Sequence, residues 1–312
     1  MNTNFSQRDG DFSKRPSHRR IIRFGVALAV SLLLALPVRA AAKTPWIAIH
    51  VLNVGTDDAL DSFREQVPRL AELGVNTIIL EVDYGFEFQS HPELRGNQTP
   101  ITRAGAGRMA DACRAKGIRL IPQFQCLGHQ SWSSNTFSLL TKYPELDLTP
   151  NAFPGNKGLY CREWDPLNPR VNEIVFPLLG ELIDAFHADA LHAGMDEVFL
   201  IGSKESPSTF GKNPAEVFAK AVNDIHGYLV KQRKVEMLMW ADRLIDASQI
   251  KYGKWEASAA GTAPAIDMIP KDIIMCDWHY EKRADGYPSV PMFLEKGFRL
   301  LPTSWKNVEA CE

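Results

Sequence analysis

Short apolar runs alternate with longer amphipathic stretches from residue 46 to residue 305, and this alternation predicts strands separated by helices. Seven runs read as strands: "WIAIHVLNV" (46–54), "NTIILEVDY" (76–84), "IRLIPQFQ" (118–125), "ADALHAGMDE" (188–197), "VEMLMWAD" (235–242), "KDIIMCDWHY" (271–280) and "GFRLLPTSW" (297–305). Between them, "DALDSFREQVPRLAELG" (58–74) predicts a helix closed by Gly74 and kinked or broken at Pro68. A further helix ends at Gly117, the segments 169–186 and 214–232 are helical, and a short helix falls near 290–296. The connection 128–168 is long, and loops of that length carry function or are disordered. No repeat, low-complexity tract or second domain boundary interrupts the pattern.

Strands spaced by helices imply an α/β fold with a mostly parallel sheet. No GxGxxG or GxxxxGK turn follows any strand, which removes the usual nucleotide-binding reason for an open sheet. Polar and aromatic residues instead gather at successive strand ends: Glu81 and Asp83, Gln125 and His129, Asp196 and Glu197, Trp240 and Asp242, Asp277, Trp278 and Tyr280, then Trp305. A (β/α)8 TIM barrel collects such residues around one site, so a barrel is the expectation. The chain stops at Glu312, soon after the seventh strand, so the barrel is expected to be incomplete at its C-terminus unless a strand is hidden.

The first 42 residues read as a leader outside the barrel of 43–312. Lys14, Arg15, Arg19, Arg20 and Arg23 precede the apolar run "FGVALAVSLLLALPV", and small residues follow it. That run is about 15 residues, short of the ~20 a spanning helix needs, so a cleaved signal is favoured over an anchor. Arg19-Arg20 also raises a twin-arginine route. Export to the periplasm or the extracellular space is the expectation.

Seven of the 35 Lys and Arg and two of the 37 Asp and Glu precede Ala41, leaving 28 against 35 and a net charge near −7. That balance gives no reason to expect nucleic acid or a stable membrane partner. The five cysteines form no CxxC pair or Cys/His ligand spacing, and most are expected to be buried thiols. His50, His129, His192 and Asp196 would suit a metal at a barrel mouth, but strand one offers a single histidine and there is no HExxH. No metal or cofactor is expected.

Asp196 and Glu197 stand side by side where a buried strand ends, and adjacent carboxylates repel and are costly to desolvate. A helix start is the bland explanation for such a pair. Strand context, His192 and the strand-three stretch ending at His129, which could hydrogen-bond a catalytic carboxyl, favour catalysis, with the backbone turning at Asp196 so that both acids enter one pocket. His192 would orient an acid or fill the core. Trp240, Trp278 and Trp305 would line a pocket at the strand ends, at least one of them as barrel filling. Asp242 would bind a ligand hydroxyl or cap a helix, and Arg95 would reach ligand hydroxyls or stay solvated.

Three stretches share a resemblance: His192-Ala193-Gly194-Met195-Asp196-Glu197, "GIRLIPQFQCLGH" (117–129) and "MLMWADRLID" (237–246). They resemble the catalytic barrel of glycoside hydrolase family 20, the β-N-acetylhexosaminidases. The family's His-x-Gly-Gly-Asp-Glu has Met195 for its second glycine, expected to make the pocket wall bulkier. Its strand-three acids have become Gln123 and Gln125, and its proline Leu127. These departures, with "DEVFLIG" and "CDWHYE", resemble a divergent bacterial or hexosaminidase D-like branch.

The resemblance implies a substrate-assisted mechanism, in which the 2-acetamido oxygen of the substrate attacks C1. Glu197 would then be the general acid/base and Asp196 the residue holding the acetamido N–H, with Tyr280 the candidate for the acetamido oxygen. The expected substrate is a glycan ending in N-acetylglucosamine or N-acetylgalactosamine, removed from the chain end. The rivals are an inactive glycan-binding barrel and a glycosidase of other specificity on the same scaffold.

Overall fold

The computed structural model describes residues 45–96 and 98–311. The leader expected over residues 1–42 lies outside them. In chain order the elements are β1 (Ala48–Val51), α1 (Asp57–Arg64), α2 (Val67–Glu72), β2 (Thr77–Glu81), α3 (Arg103–Ala115), β3 (Arg119–Cys126), a small hairpin of β4 (Ser131–Trp132) and β5 (Asn135–Thr136), and α4 (Ser138–Lys142). There follow α5 (Pro169–Ala185), β6 (Ala190–Gly194), α6 (Pro214–His226), β7 (Glu236–Trp240), α7 (Gly253–Glu256), β8 (Ile274–Trp278), α8 (Ser289–Glu295), β9 (Arg299–Thr303) and α9 (Val308–Cys311). Every one of the seven predicted strands is present.

Those seven form one sheet in the order β1-β2-β3-β6-β7-β8-β9, all pairs parallel, with β1 and β9 as its edges. The sheet is a curled, incomplete (β/α)8 barrel with helices between its strands. Local chemistry sets the helix ends. Thr56, Thr102, Asn168 and Asn213 each accept a backbone N–H at the start of α1, α3, α5 and α6, satisfying donors that have no partner within the helix. The predicted 58–74 helix divides into α1 and α2, with Pro68 in the first turn of α2, where its missing N–H costs nothing. Beyond His226, α6 widens into a π-helical turn, Gly227–Gln232. Among the described residues no helix is long and apolar enough to cross a membrane.

Alternation along each strand divides the apolar residues into two clusters. The larger lies between the outer face of the sheet and the helices and includes Leu120, Phe124, Leu178, Leu191, Val222 and Met239. The smaller fills the barrel interior with Ile79, Ile121, Ala190, Leu238, Ile274 and Cys276, joined by Trp240 and Trp278. Below it, at the strand starts, Arg119 pairs with Asp189 and Glu236, and Arg299 pairs with Glu236. The opposite, C-terminal end is left for polar side chains. Four of the five cysteines are buried and Cys311 is exposed.

Phe124 is fully buried and meets Tyr84 and Phe88 edge-on, with ring centroids 5.1 and 6.4 Å away. Phe124→Ala should cost about 3–5 kcal/mol, measured by denaturant unfolding, because the rigid β2–β3 surroundings cannot collapse into the space.

Candidate active site

The chain leaves β6 through a turn in which Gly194, Met195 and Glu197 all have positive φ (65°, 72° and 51°). On an extended strand Asp196 and Glu197 would face opposite ways; this left-handed turn brings both to one site. Two close approaches make it possible. A Cβ on Gly194 would lie 1.8 Å from Gln125 Oε1, and one on Gly128 would lie 2.5 Å from the carbonyl oxygen of Asp196. Opposite the turn, β3 carries an extra residue: Gln123 pairs with His192 but Cys126 pairs with Gly194. Such a bulge re-aims side chains at a strand end, here Gln125.

His129, itself at φ 52°, stands between the two acids. Its Nε2 is 3.2 Å from Asp196 Oδ2 and 2.9 Å from Glu197 Oε2. Gln125 Nε2 donates to the other oxygen of Asp196. Burial disfavours the imidazolium, yet the two carboxylates outweigh it and push His129 up to about 12. Burial likewise opposes ionisation of Asp196, but the His129 charge and the Gln125 amide hold its carboxyl below the usual range. A cation between the acids thus removes the repulsion that adjacency creates.

Further carboxylates surround this centre. Asp83 accepts the backbone N–H of Gln125 at 2.7 Å, and Gln123 Nε2 reaches Glu81 at 3.3 Å. Burial raises Asp83 to about 6 and Glu81 to about 8, with neighbouring acids adding to both shifts. Asp242 accepts the N–H of Glu197 at 3.0 Å, and burial raises it to about 6 against the pull of Arg243. Glu163 accepts the N–H groups of Phe199 (2.5 Å) and Leu200 (2.9 Å), and burial raises it to about 7. Buried side-chain acceptors therefore hold the irregular segment after Glu197, where no helix or strand pairs its backbone.

The residues expected from the sequence fall into three groups. Asp196, Glu197 and His129 are in mutual contact. Tyr280 packs at a tilt against Trp278 (5.0 Å) and Trp305 (5.5 Å), and burial followed by the charges of Asp196 and Glu197 raises its hydroxyl to about 12. Trp240 lies in the interior cluster against His192 and His50 (4.5 and 5.3 Å), as barrel filling. Trp278, also buried, has no partner for its Nε1, whereas Trp305 is 60% exposed beyond the edge strand β9.

Two expectations, for Arg95 and Met195, require correction. Arg95 is not brought to the acid pair, because its Nε and Nη2 are fixed on the carbonyl oxygen of Phe88 (3.0 and 2.8 Å). Met195 does not thicken the pocket wall; it is fully buried in the sheet–helix core. Of the two roles expected for His192, the structure favours filling the core, since it is fully buried and hydrogen-bonds to neither acid. Its Nδ1 accepts from the N–H of Gly194 (3.1 Å), its Nε2 has no protein partner, and burial lowers it to about 3. Asp242, expected to bind a hydroxyl or cap a helix, accepts from the N–H of Glu197 and from Arg243.

Other residues at the site were not singled out by sequence. Tyr160 lies against His129 (5.9 Å), and burial together with a hydrogen bond to Glu197 raises its hydroxyl. Trp132 stacks on His129 at 6.2 Å, and Trp255 packs on Tyr160 at 4.7 Å. Trp132 and Tyr160 belong to the long 128–168 connection, whose length was the one signal that marked it. The ligand atoms of His129, Asp196 and Glu197 lie within 4.8 Å of one another, the group among the described residues able to share a metal ion. A metal there would need the proton on His129 Nε2 removed.

Parallel strands curled into an incomplete barrel put the paired acids at the C-terminal strand ends, where barrel enzymes carry their active sites. The chain belongs to glycosyl hydrolase family 20, whose catalytic-domain model matches residues 64–301. It is similar to a beta-hexosaminidase of Emericella nidulans, 23% identical over 213 residues that cover 61% of this chain and 30% of that protein. Among solved structures it resembles Flavobacterium johnsoniae chitobiase, with a TM-score of 0.60 and 17% identity over 84% of this chain and 38% of that one. A β-N-acetylhexosaminidase from Bacteroides fragilis gives a TM-score of 0.60 and 13% identity, covering 83% of this chain and 50% of that one. The Vibrio harveyi exo β-N-acetylglucosaminidase, solved with N-acetylglucosamine, gives 0.57 and 15%, covering 82% and 40%. The chain therefore spans 30% of the curated relative's length and half or less of these structures.

Glu81 carries a testable pH dependence. Its ordinary value of 4.5 is raised to about 8 in the fold, so between those values the folded protein keeps a proton that the unfolded chain releases. Stability contributed by this group is present at low pH and is lost as pH rises through that window. Glu81→Gln keeps an acceptor for Gln123 but cannot ionise. Its unfolding free energy should therefore decline less steeply than that of the wild type from about pH 5 to pH 8, by up to one proton in slope. Equal slopes in denaturant titrations would show that Glu81 ionises normally.

Proposed function

We propose that the chain is an exo-acting β-N-acetylhexosaminidase that removes terminal N-acetylglucosamine or N-acetylgalactosamine by a substrate-assisted, retaining mechanism. The observation that carries this reading is the unequal setting of the two adjacent acids. Both oxygens of Asp196 receive a hydrogen bond, from Gln125 and His129, which favours its anion. An anion held in this way suits the acetamido N–H and the positive charge that grows there. Glu197, which meets His129 and the Tyr160 hydroxyl on the side of the exposed aromatic rings, is the acid in this reading.

In the first step Glu197 gives its proton to the glycosidic oxygen as the C1–O bond breaks, and the acetamido oxygen bonds to C1. The resulting oxazolinium carries a positive charge that Asp196 stabilises. In the second step Glu197 takes a proton from water, the water oxygen bonds to C1, and the ring opens to restore the acetamide. Buried polar atoms without a protein partner, Trp278 Nε1 and His192 Nε2, lie on inward-facing strand positions and suit a polar ligand. The exposed rings of Trp132 and Trp255, beside the Glu197 side, suit the apolar face of a leaving sugar. With the leader pattern of residues 1–42, we place the action outside the cytoplasm.

The test is hydrolysis of aryl N-acetyl-β-glucosaminide and N-acetyl-β-galactosaminide by the purified protein. Turnover is expected, with Glu197→Gln lowering kcat by about 100-fold or more while sugar binding persists. Asp196→Asn should also lower kcat about 100-fold, and the plain aryl glucoside, lacking the acetamide, should not turn over. Silence from a folded protein that still binds N-acetylglucosamine would replace the enzyme with a glycan-binding barrel. Equal turnover of the plain glucoside would indicate a different glycosidase mechanism.

A further inference from the structure

We propose that Arg243 is a positioning residue that locks the acid-bearing turn to the aromatic segment 253–257, so that Glu197 and Trp255 are set as one unit. The inference rests on the glycosidase reading for its kinetic consequences, but its geometry stands independently. Arg243 is fully buried beside the candidate acid, and the mechanism above gives it no role.

On one side its guanidinium engages the chain around Glu197. Nε donates to Asp242 Oδ2 at 2.5 Å, and that same oxygen accepts the N–H of Glu197. Nη1 reaches the Val198 carbonyl at 3.5 Å, and Cζ lies 4.7 Å from the centre of the Phe199 ring. On the other side Nη2 faces the carbonyl oxygens of Lys254 (3.1 Å), Trp255 (2.5 Å) and Ala257 (3.1 Å). The segment is held at its far edge by Glu256, which pairs with His279 at 2.6 Å. Trp255 then closes the circuit by packing on Phe199 (5.6 Å) and on Tyr160, whose hydroxyl meets Glu197.

The chemistry explains why arginine stands here. A buried cation is costly unless its donors are filled, and these fixed carbonyls with one carboxylate fill them. A planar guanidinium presents five N–H groups in a rigid fork, so it can serve Asp242 and the three carbonyls together. Lysine keeps the charge but has a single nitrogen, which can stay with Asp242 or reach the carbonyls, not both. Arg243 thereby makes the wall facing the leaving group move with the acid that must protonate it.

Arg243→Lys should raise KM for a β-linked N-acetylglucosamine disaccharide about fivefold while kcat stays within about twofold, because Glu197 keeps Asp242 but Trp255 loosens. Arg243→Met also strips Asp242 of its cation, and kcat should fall about 100-fold. A merely structural role would instead lower kcat and raise KM together in both variants, tracking their loss of melting temperature, and would overturn the proposal. Acrylamide quenching of Trp255, taken as the difference between each protein and its Trp255→Phe counterpart, reads the lock without turnover. It should rise in Arg243→Lys and stay near wild type in Glu256→Gln, where Arg243 still holds the segment. Unchanged quenching in Arg243→Lys, or an equal rise in Glu256→Gln, overturns the lock. A wild type without turnover would sink the glycosidase reading alone, since the quenching comparison remains.

Discussion

The imidazolium of His129, shared between Asp196 and Glu197, is the contact on which the site depends. Two neighbouring carboxylates at the end of a buried strand are unfavourable on two counts, their mutual repulsion and their loss of water. One cation between them answers the first and part of the second. It also leaves the two acids with different second donors, the Gln125 amide on Asp196 and the Tyr160 hydroxyl on Glu197. Division of labour between identical functional groups thus goes with different hydrogen-bond partners in a shared charge field.

That contact requires backbone geometry that regular structure cannot supply. Three left-handed residues in four turn the chain after β6, and one of them is Met195, a side chain that pays for positive φ in strain. Its full burial in the sheet–helix core supplies compensating apolar contact. The N–H groups that the turn exposes go to carboxylates from two distant parts of the chain, Asp242 after β7 and Glu163 in the 128–168 connection. Both acids are driven upward by burial, so each is most useful as a fixed acceptor where it stands and costly if its partner is lost.

The architecture was legible because periodicity and spacing are local signals: seven apolar runs became seven parallel strands, and Pro68 divided its helix where its missing N–H demanded. The acid pair was legible for a similar reason, as two charges following an apolar run conflict with burial unless something compensates them. Partnerships across the chain were not. Arg95 has the right charge for a sugar hydroxyl, yet an ordinary backbone carbonyl at Phe88 takes its Nε and Nη2. Tyr160 and Glu163 sit in an irregular connection with no periodicity to mark them, and only folding brings them to residues 197–200. Met195 was misjudged because the direction of its side chain depends on a φ that composition does not reveal.

The glutamines of β3 follow from the same balance of charge. Glu81, Asp83, Asp196, Glu197 and Asp242 already place five acids around the strand ends, against the cations of His129 and Arg243. Gln123 and Gln125 face inward among them, one donating to Glu81 and the other to Asp196. Acids at those two positions would turn both donors into acceptors and leave Asp196 facing a like charge. Burial already pushes Glu81 and Asp83 towards their neutral forms, so a further negative charge would push Asp196 the same way. An anionic Asp196 is what the proposed chemistry needs, and in this chain amides preserve it. The departure from the family pattern on strand three is therefore compatible with a working acid pair, provided His129 remains charged between its two partners.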